Sequence, residues 1–194
     1  MSRQLRGPAA TEAVVAAARR LLAGIEGGVP SMEAIAADAG VTRATVYNHF
    51  SSRAALIDAV LTDAVRRHGM DRLVERSRGP SGNDALKVAI TTCATFWESE
   101  RTLLRCLFTL GSDEPDVIQG LLQREAWRTQ QFAEIVAAAT PAETSSRLVG
   151  VIVALTSFAT YDQLVTHTDD HATAEEAMQR AVAAHLGPVP EASS

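Results

Sequence analysis

The feature that most constrains this chain is a pair of short helical patterns joined by a glycine turn, within residues 31–50. Apolar residues recur at helical spacing before the turn at Gly40 and again after it. Ser31 and Thr42 stand at the two starts, where a hydroxyl can cap free backbone N–H groups. The pattern predicts a helix-turn-helix unit, in which glycine takes the left-handed conformation of the turn.

The rest of the 194-residue chain also favours helices. Alanine-rich segments repeat apolar positions at helical spacing, and no segment alternates like a strand with β-branched residues. We therefore expect an all-α fold with a helix-turn-helix domain over residues 1–68 and a C-terminal helical bundle over residues 69–194. The run Gly79-Pro80-Ser81-Gly82 marks a turn or linker after this boundary.

The helix boundaries follow from caps, breaks and periodicity. Thr140 with Glu143 and Thr173 with Glu176 have capping-box spacing and predict two helix starts. The predicted helices cover residues 11–25, 31–39, 42–47, 52–65, 83–99, 101–110, 115–139, 141–167 and 173–186.

Charge is divided unevenly along the chain, whose net charge is −5. Residues 1–68 hold eight Arg and six acidic residues, a net +2, and the remaining 126 residues hold ten basic and seventeen acidic residues, a net −7. A polyanion partner is therefore expected at the N-terminal domain only. With 46% hydrophobic and 21% charged residues the composition excludes disorder as the main state.

The short apolar runs argue against a membrane-spanning helix and against a signal peptide. The longest run, Leu148–Leu155, is far shorter than the ~20 residues that a membrane-spanning helix needs. The first twenty residues contain no apolar block of the signal-peptide kind. We expect a cytoplasmic protein with no membrane partner.

The outer face of the second short helix carries side chains that suit DNA. Arg43 can bind guanine or phosphate, and the hydroxyl groups of Thr42 and Thr45 can bind phosphate oxygens. In the alternative interpretation, Tyr47 and His49 pack against neighbouring helices and the charged groups are only solvated. The candidate DNA-binding residues on this segment are Thr42, Arg43, Thr45, Tyr47, Asn48 and His49.

The same segment resembles the DNA-binding domain of the tetracycline-repressor (TetR) family of bacterial transcription regulators. It reads AGVTRATVYNHF over residues 39–50. The family pattern has Ala-Gly-Val, a hydroxyl residue, a basic residue, a small residue, a second hydroxyl residue, an aliphatic residue, Tyr, and an aromatic residue or His before Phe. The resemblance extends from the first helix to Val60, and it implies a DNA-binding role for Arg53, where most members have Lys. Arg keeps the charge of a phosphate contact but changes its shape.

The resemblance also implies what the C-terminal domain does: it binds a small ligand and forms a homodimer. The aromatic residues of this domain are scarce and clustered, and with two cysteines they can line an apolar cavity between helices. Few charged residues lie in these segments, which favours a small lipophilic effector, although each residue is equally suited to a plain packed core. The candidate ligand-binding residues are Cys93, Phe96, Trp97, Cys106, Leu110, Trp127, Phe158 and Tyr161.

The helix predicted over residues 141–167 has apolar residues over too wide an arc to be buried by one domain. We expect the second arc to face a twofold-related copy of the chain, together with the last helix. The candidate dimer-interface residues are Gly150, Val151, Ala154, Leu155, Met178 and Val182.

Patterns that would indicate catalysis or metal binding are weak. No Gly-rich phosphate loop, Ser-His-Asp order or carboxylate pair stands out, so we expect no enzyme and no cofactor. Cys93 and Cys106 fit neither a disulfide framework nor a zinc site, and a redox sensor is a minor alternative. His167 and His171 have the spacing of metal ligands if their helix continues, but we expect an exposed helix end and no metal site.

Taken together, the residues and the resemblance predict a ligand-released repressor that binds a palindromic double-stranded DNA operator as a homodimer. Two other classes stay open: an all-α small-molecule binding or carrier protein whose helix-turn-helix is non-functional, and an enzyme with a helical pocket. Specific binding to its own upstream DNA distinguishes the first from the regulator, and turnover of a substrate would identify the second.

Overall fold

The computed structural model describes residues 7–24, 30–78, 82–110, 115–139 and 142–186, and every regular element in these ranges is helical, as predicted. The side chains of residues 110, 139 and 142–145 also lie outside the description. In chain order the elements are α1 (Pro8–Gly24), α2 (Met32–Asp38), α3 (Arg43–His49), α4 (Arg53–Arg67), a 3₁₀ turn (Met70–Arg72), α5 (Leu73–Arg76), α6 (Gly82–Ser99), α7 (Arg101–Leu110), α8 (Pro115–Ala139), α9 (Ala142–Leu155), α10 (Phe158–Thr168) and α11 (His171–Leu186).

The chain divides into two compact units. The first unit comprises residues 1–67 and 100–123, and the second unit comprises residues 68–99 and 124–194. The domain boundary predicted after residue 68 stays a prediction. Within the described ranges, no single helix is both long and apolar enough to cross a membrane. Helices α9 and α10 taken together have the length and composition of a membrane-spanning segment, but they are bent by 41° at the break between them.

The single helix predicted over residues 141–167 is wrong, because the chain breaks at Thr156 and Ser157 into α9 and α10. The Thr156 hydroxyl donates to the Ile152 carbonyl oxygen (2.7 Å), and Ser157 Oγ accepts the backbone N–H of Thr160 (3.2 Å) as the cap of α10. Hydroxyl side chains compete with helical hydrogen bonds in this way. Apolar residues keep their helical spacing across the break, so the sequence pattern does not reveal it.

The start predicted for the last helix at Thr173 is also wrong, since α11 begins at His171. Asp170 caps it: one carboxylate oxygen accepts the backbone N–H (2.7 Å) and the hydroxyl (2.5 Å) of Thr173. These two hydrogen bonds hold the pKa of Asp170 below its ordinary value. Thr140 and the residues 79–81 of the expected linker lie outside the described residues.

In the first unit, α1 is the central element and contacts α2, α3, α4 and α7. Its inward stripe is fully buried and includes Val14, Ala17 and Leu22. Small alanines at this surface let the neighbouring helices approach closely. The helix-turn-helix is therefore held by α1, which also packs against α4.

The core of the second unit contains a buried arginine, Arg128 of α8, whose residue is 2% exposed. Its Nε and Nη2 donate to the two carboxylate oxygens of Glu125 (2.9 and 2.6 Å). Nη2 also donates to the Val153 carbonyl (2.8 Å), and Nη1 donates to the carbonyl (3.3 Å) and hydroxyl (2.8 Å) of Thr156. All five donors of the guanidinium are thus used, three of them at the break between α9 and α10.

Aromatic rings and a thiol surround this guanidinium. Its carbon atom lies 5.9 Å from the ring centre of Trp97 and 5.5 Å from that of Phe132. The indole N–H of Trp97 donates to the Thr156 carbonyl (3.0 Å), so the last turn of α6 also contacts the break between α9 and α10. Burial raises the pKa of the nearby Cys93 thiol to about 11, although the charge of Arg128 opposes that shift.

We expect Arg128→Met to lower the free energy of unfolding by about 3 kcal/mol, because the Val153 carbonyl and the Thr156 hydroxyl lose their donor in the core. Urea denaturation followed by circular dichroism measures the change. Arg180→Met is the matched control, since Arg180 pairs with Glu176 on the surface (3.6 Å) and its loss should cost less than about 0.5 kcal/mol. Equal losses in the two variants would contradict the role given to Arg128.

Cys93 should resist alkylation in the folded protein. With a pKa of about 11 it holds little thiolate at pH 8, so iodoacetamide should react more than about 100-fold slower than with an ordinary thiol. The rate should rise about tenfold per pH unit as the thiolate fraction increases. Peptide mass spectrometry measures it, and 6 M urea should restore the ordinary rate. Rapid alkylation without urea would show that Cys93 is accessible.

Candidate nucleic-acid interface

The turn of the helix-turn-helix is closed by Gly40, whose φ of +66° lies in the left-handed region. Its N–H donates to the Ala37 carbonyl (3.2 Å), and the N–H of Val41 donates to the Ala36 carbonyl (3.0 Å). These two bonds form a Schellman motif, which satisfies the last carbonyl groups of α2. The left-handed turn predicted at this glycine is present, and it sets the direction in which α3 leaves.

Thr42 caps the start of α3, and Ser31 caps α2 in the same way, both as predicted. Thr42 Oγ1 accepts the N–H of Thr45 (3.1 Å), and the hydroxyl oxygens of Thr42 and Thr45 lie 2.8 Å apart. Only one of the two hydroxyl protons is used between them, so the other can be donated outward. The N-terminus of α3 therefore presents a hydroxyl donor, which suits a phosphate oxygen.

Arg43 is held over the surface of α3 by two neighbours. Its guanidinium forms an ion pair with Glu33 of α2 (2.5 Å) and lies 5.3 Å from the ring centre of Tyr47. The side chain of Tyr47 and the charge of Glu33 raise the pKa of Arg43, so the guanidinium stays charged. The side chains of Arg43 and Glu33 are 61% and 54% exposed, which leaves the pair open to a competing anion.

The remaining candidate DNA-binding residues also lie at the surface. Tyr47 is 44% exposed, and Asn48 follows it on the exposed face of α3. His49 is exposed, and its Nδ1 lies 3.1 Å from the Thr11 hydroxyl oxygen of α1. Arg53 is exposed at the first turn of α4. The structure thus brings Thr42, Arg43, Thr45 and Tyr47 together on α3, with Arg53 starting the next helix.

Sequence reasoning missed the partners of these side chains. Glu33 and Thr11 carry no pattern that marks them, because each is an ordinary surface residue of its own helix. A third contact of this kind joins Arg20 of α1 to Asp38 of α2 (2.6 Å). Opposite charges on adjacent helices are the only signal, and they point to a pair only once the helices are placed.

The candidate ligand-binding residues are divided between the two units. Phe96, Trp97 and Phe158 form an aromatic row in the second unit, with ring centres 4.9 and 5.8 Å apart. Cys93 is fully buried in that unit, and Trp127 is half-buried. Cys106, half-buried, belongs to the first unit; Leu110 does too, but its side chain is not described. Burial raises the pKa of Cys106, as it does for Cys93, which does not favour a redox sensor.

Tyr161 is the polar member of the predicted ligand-binding set. It is fully buried, and its hydroxyl donates to Glu98 (2.7 Å) and lies 2.7 Å from Nδ1 of His171. The hydroxyl therefore joins α6, α10 and α11. The pair of buried Arg128 and partly exposed Glu125 is a second polar site in this unit, and the sequence had suggested few charges near the aromatic residues.

The two histidines with metal-ligand spacing lie on different helices. His167 Nδ1 lies 2.8 Å from the Gln163 carbonyl oxygen on α10, whereas His171 starts α11 beside Tyr161. Among the residues that the structure describes, no three His, Cys, Asp or Glu side chains are placed to hold a metal ion.

The candidate dimer residues differ in their exposure. Gly150 and Ala154 are exposed and lie one turn apart on α9, while Val151 and Leu155 are half-buried. A Cβ atom added to Gly150 would meet nothing within 4 Å. Met178 and Val182 are each 1% exposed, so they lie in the core of the chain itself.

Comparison with solved structures shows where this fold occurs. A transcriptional regulator from Rhodococcus sp. Rha1 is 16% identical, with a TM-score of 0.73 over 93% of this chain and 99% of that one. A TetR transcription regulator from Haloarcula marismortui is 11% identical, with a TM-score of 0.71 over 91% and 95%. NalD, the secondary repressor of the MexAB-OprM multidrug efflux pump in Pseudomonas aeruginosa, is 21% identical, with a TM-score of 0.64 over 95% and 98%. At these identities the likeness shows the fold.

Comparison with sequences identifies the helix-turn-helix itself. The search of curated proteins finds no match to this chain. Residues 14–60 match the family model of bacterial regulatory proteins, tetR family, and this range covers most of α1, all of α2 and α3, and the first half of α4. Residues 14–60 therefore form a helix-turn-helix domain of the kind found in bacterial regulatory proteins of the tetR family.

Proposed function

We propose that this protein is a ligand-released repressor that binds a palindromic DNA operator as a homodimer, in the cytoplasm where the DNA lies. The observation that carries the proposal is the outer face of α3, where Thr42, Arg43, Thr45 and Tyr47 lie together around a capped helix start. In helix-turn-helix proteins the start of the second helix enters the major groove. Arg43 would read a base edge or hold a phosphate, and the threonine hydroxyls would hold phosphate oxygens.

The ion pair between Arg43 and Glu33 supports a DNA-binding role for Arg43, because the pair is weak. An exposed ion pair contributes only about 0.2–1 kcal/mol, whereas a bidentate contact to guanine contributes about 1–3 kcal/mol. DNA can therefore displace Glu33 at little cost. Tyr47 beneath the guanidinium limits its freedom before binding, which lowers the entropy lost on the DNA.

The helical core of the second unit supports a role in effector binding. It combines an aromatic row, Phe96, Trp97 and Phe158, with polar groups at Tyr161 and the Arg128–Glu125 pair. A site of this composition takes a mainly lipophilic small molecule and orients it by a few polar contacts. NalD, which shares this fold, is a repressor of a multidrug efflux pump, and a role in controlling transport of such compounds fits this site.

The exposed face of α9 supports a dimer. Gly150 and Ala154 lie one turn apart without a bulky side chain, so a second helix can approach this face closely. Val151 and Leu155 flank it and are only half covered by their own chain. Since Met178 and Val182 are buried, we infer that they hold α11 behind this face and do not contact the partner.

We expect Arg43→Ala and Tyr47→Ala each to weaken operator binding about 5- to 150-fold, because each removes a contact worth about 1–3 kcal/mol. The operator is first selected from random duplexes with the parent protein, and affinities are compared at one salt concentration. The double variant should lose less than the product of the two single losses, because Tyr47 acts partly through Arg43.

The control for these variants is Arg180→Ala, which removes an exposed arginine of α11. Its operator affinity should equal that of the parent. Binding by the parent should fall steeply as salt rises, because phosphate contacts release counterions. A parent that selects no duplex would instead favour the small-molecule binding or carrier protein.

We expect Gly150→Arg to yield a folded monomer, because an arginine fits the exposed face of a single chain but blocks the close approach of a second one. Losing the dimer should weaken binding to the palindrome about 10²-fold or more. Sedimentation gives the mass, and a footprint gives the binding. Ala126→Arg, on the exposed face of α8, should remain a dimer with parental affinity. A dimeric Gly150→Arg protein would place the interface elsewhere.

A further inference from the structure

Glu33 is an exposed carboxylate at the surface to which the proposed function assigns DNA binding. It lies in the first turn of α2, where the neighbouring Met32 and Ile35 are buried and anchor the helix in its own core. Its Oε1 forms the ion pair with Nη1 of Arg43 on α3 (2.5 Å). Helices α2 and α3 pack against each other within the first unit. The carboxylate is therefore held beside the guanidinium that we expect to face DNA.

The pair of Glu33 and Arg43 presents hydrogen-bond donors and an acceptor side by side. Both side chains are more than half exposed. The ion pair joins Nη1 to Oε1, whereas a guanidinium has five N–H donors and an ionised carboxylate has two acceptor oxygens. Both side chains can thus contact a second molecule from the same surface. A molecule that offers acceptors next to a donor matches this pair.

The major-groove edge of DNA offers this pattern. Guanine presents two acceptors, O6 and N7, which arginine binds with two donors, and cytosine presents the N4 amino group, from which Glu accepts. Successive base pairs are about 3.4 Å apart, and Nη1 and Oε1 are 2.5 Å apart. Two side chains that touch before binding can therefore reach the edges of neighbouring base pairs. Arg43 and Glu33 match a guanine in one base pair and a cytosine in the next.

The negative charge of Glu33 makes this match selective. A carboxylate in the groove loses water and lies among phosphates of like charge, so it needs a donor there. Guanine and thymine present acceptors to the major groove and cannot supply one. Adenine presents the N6 donor, but its N7 acceptor lies beside it and would repel the second carboxylate oxygen. Cytosine supplies a donor without an acceptor on the same base edge.

We propose that Glu33 is a specificity-determining residue that accepts a hydrogen bond from the N4 amino group of a cytosine in the operator. This cytosine lies in the base pair next to the guanine that Arg43 binds. The proposal rests on the proposed function, since it names bases that the same surface recognises. In the free protein the two side chains neutralise each other, and on the operator each exchanges its partner for a base. With another base at this position the carboxylate has no matching donor, and binding weakens.

The test compares base preferences position by position. Duplexes are selected from random sequences with the parent protein, and the four bases are then compared at each position at one salt concentration. The position at which Arg43→Ala loses its guanine preference identifies the base pair that Arg43 binds. At a neighbouring base pair, the parent should bind cytosine about 5- to 150-fold more tightly than the other bases. Arg43→Ala should keep this cytosine preference, because the carboxylate contacts the base itself.

Glu33→Gln should change which base is preferred at that position. An amide side chain binds adenine through N6 and N7, so this variant should prefer adenine where the parent prefers cytosine. Glu33→Ala should lose the cytosine preference and gain no other. Base preferences at the remaining positions should stay parental in both variants. Because Glu33 is exposed, both proteins should keep the parental helicity, which circular dichroism measures.

Asp38→Asn is the matched control, because it removes one negative charge from the same helix. Asp38 also pairs with an exposed arginine, Arg20 (2.6 Å). A general effect of charge changes the affinity for every duplex by the same factor, so this variant should keep the parental base preferences.

Three results would overturn the proposal. They are a Glu33→Gln protein with parental base preferences, an Arg43→Ala protein that keeps every guanine preference, and a cytosine preference that disappears with Arg43→Ala. A parent protein that selects no duplex at all would overturn the proposed function itself, which is a distinguishable result.

Discussion

The structure depends on one constraint, that a charge taken out of water must find all of its partners within the chain. Arg128 meets it in the second unit by using all five donors, on Glu125, Val153 and Thr156. Glu100 meets it in the first unit with two arginines. Arg128 lies in the middle of α8 but faces the end of α9, and Glu100 lies between the end of α6 and the start of α7, because helix ends expose the carbonyl groups or the chain flexibility that a buried ion needs. The constraint thus determines where helices meet.

The break between α9 and α10 follows from the same constraint. The Thr156 and Ser157 hydroxyls interrupt the helical hydrogen bonds, and the carbonyl groups that this frees would be costly in an apolar core. The guanidinium of Arg128 and the indole of Trp97 supply the missing donors. Thr156 and Ser157 can therefore interrupt the helix in the core because α6 and α8 supply hydrogen-bond donors to the carbonyl groups that are freed.

This explains which features could be predicted from the sequence. The caps at Ser31 and Thr42 and the turn at Gly40 depend on residues at most five positions apart, so spacing alone predicts them. The face of α3 follows from them. Thr156, a partner of Arg128, and Arg19, a partner of Glu100, lie 28 and 81 residues away, and no periodicity records such distances. The broken helix was missed for that reason. Glu125 lies only three residues from Arg128, but this spacing is equally typical of a surface pair and does not reveal that the guanidinium is buried. The start of α11 was predicted wrongly because Asp170 and Thr173 can both cap a helix, and the structure uses Asp170.

The strengths of the ion pairs are arranged according to what each must do. At the start of α3 the pair is exposed, and water or phosphate can replace Glu33 beside Arg43 with little change in free energy. Between the end of α4 and the start of α7 the carboxylate of Glu100 is buried, so it separates from Arg19 only at a large cost. An exposed pair can exchange one partner for another, which a surface proposed to bind DNA requires, whereas the buried carboxylate holds α1 in one position within the first unit.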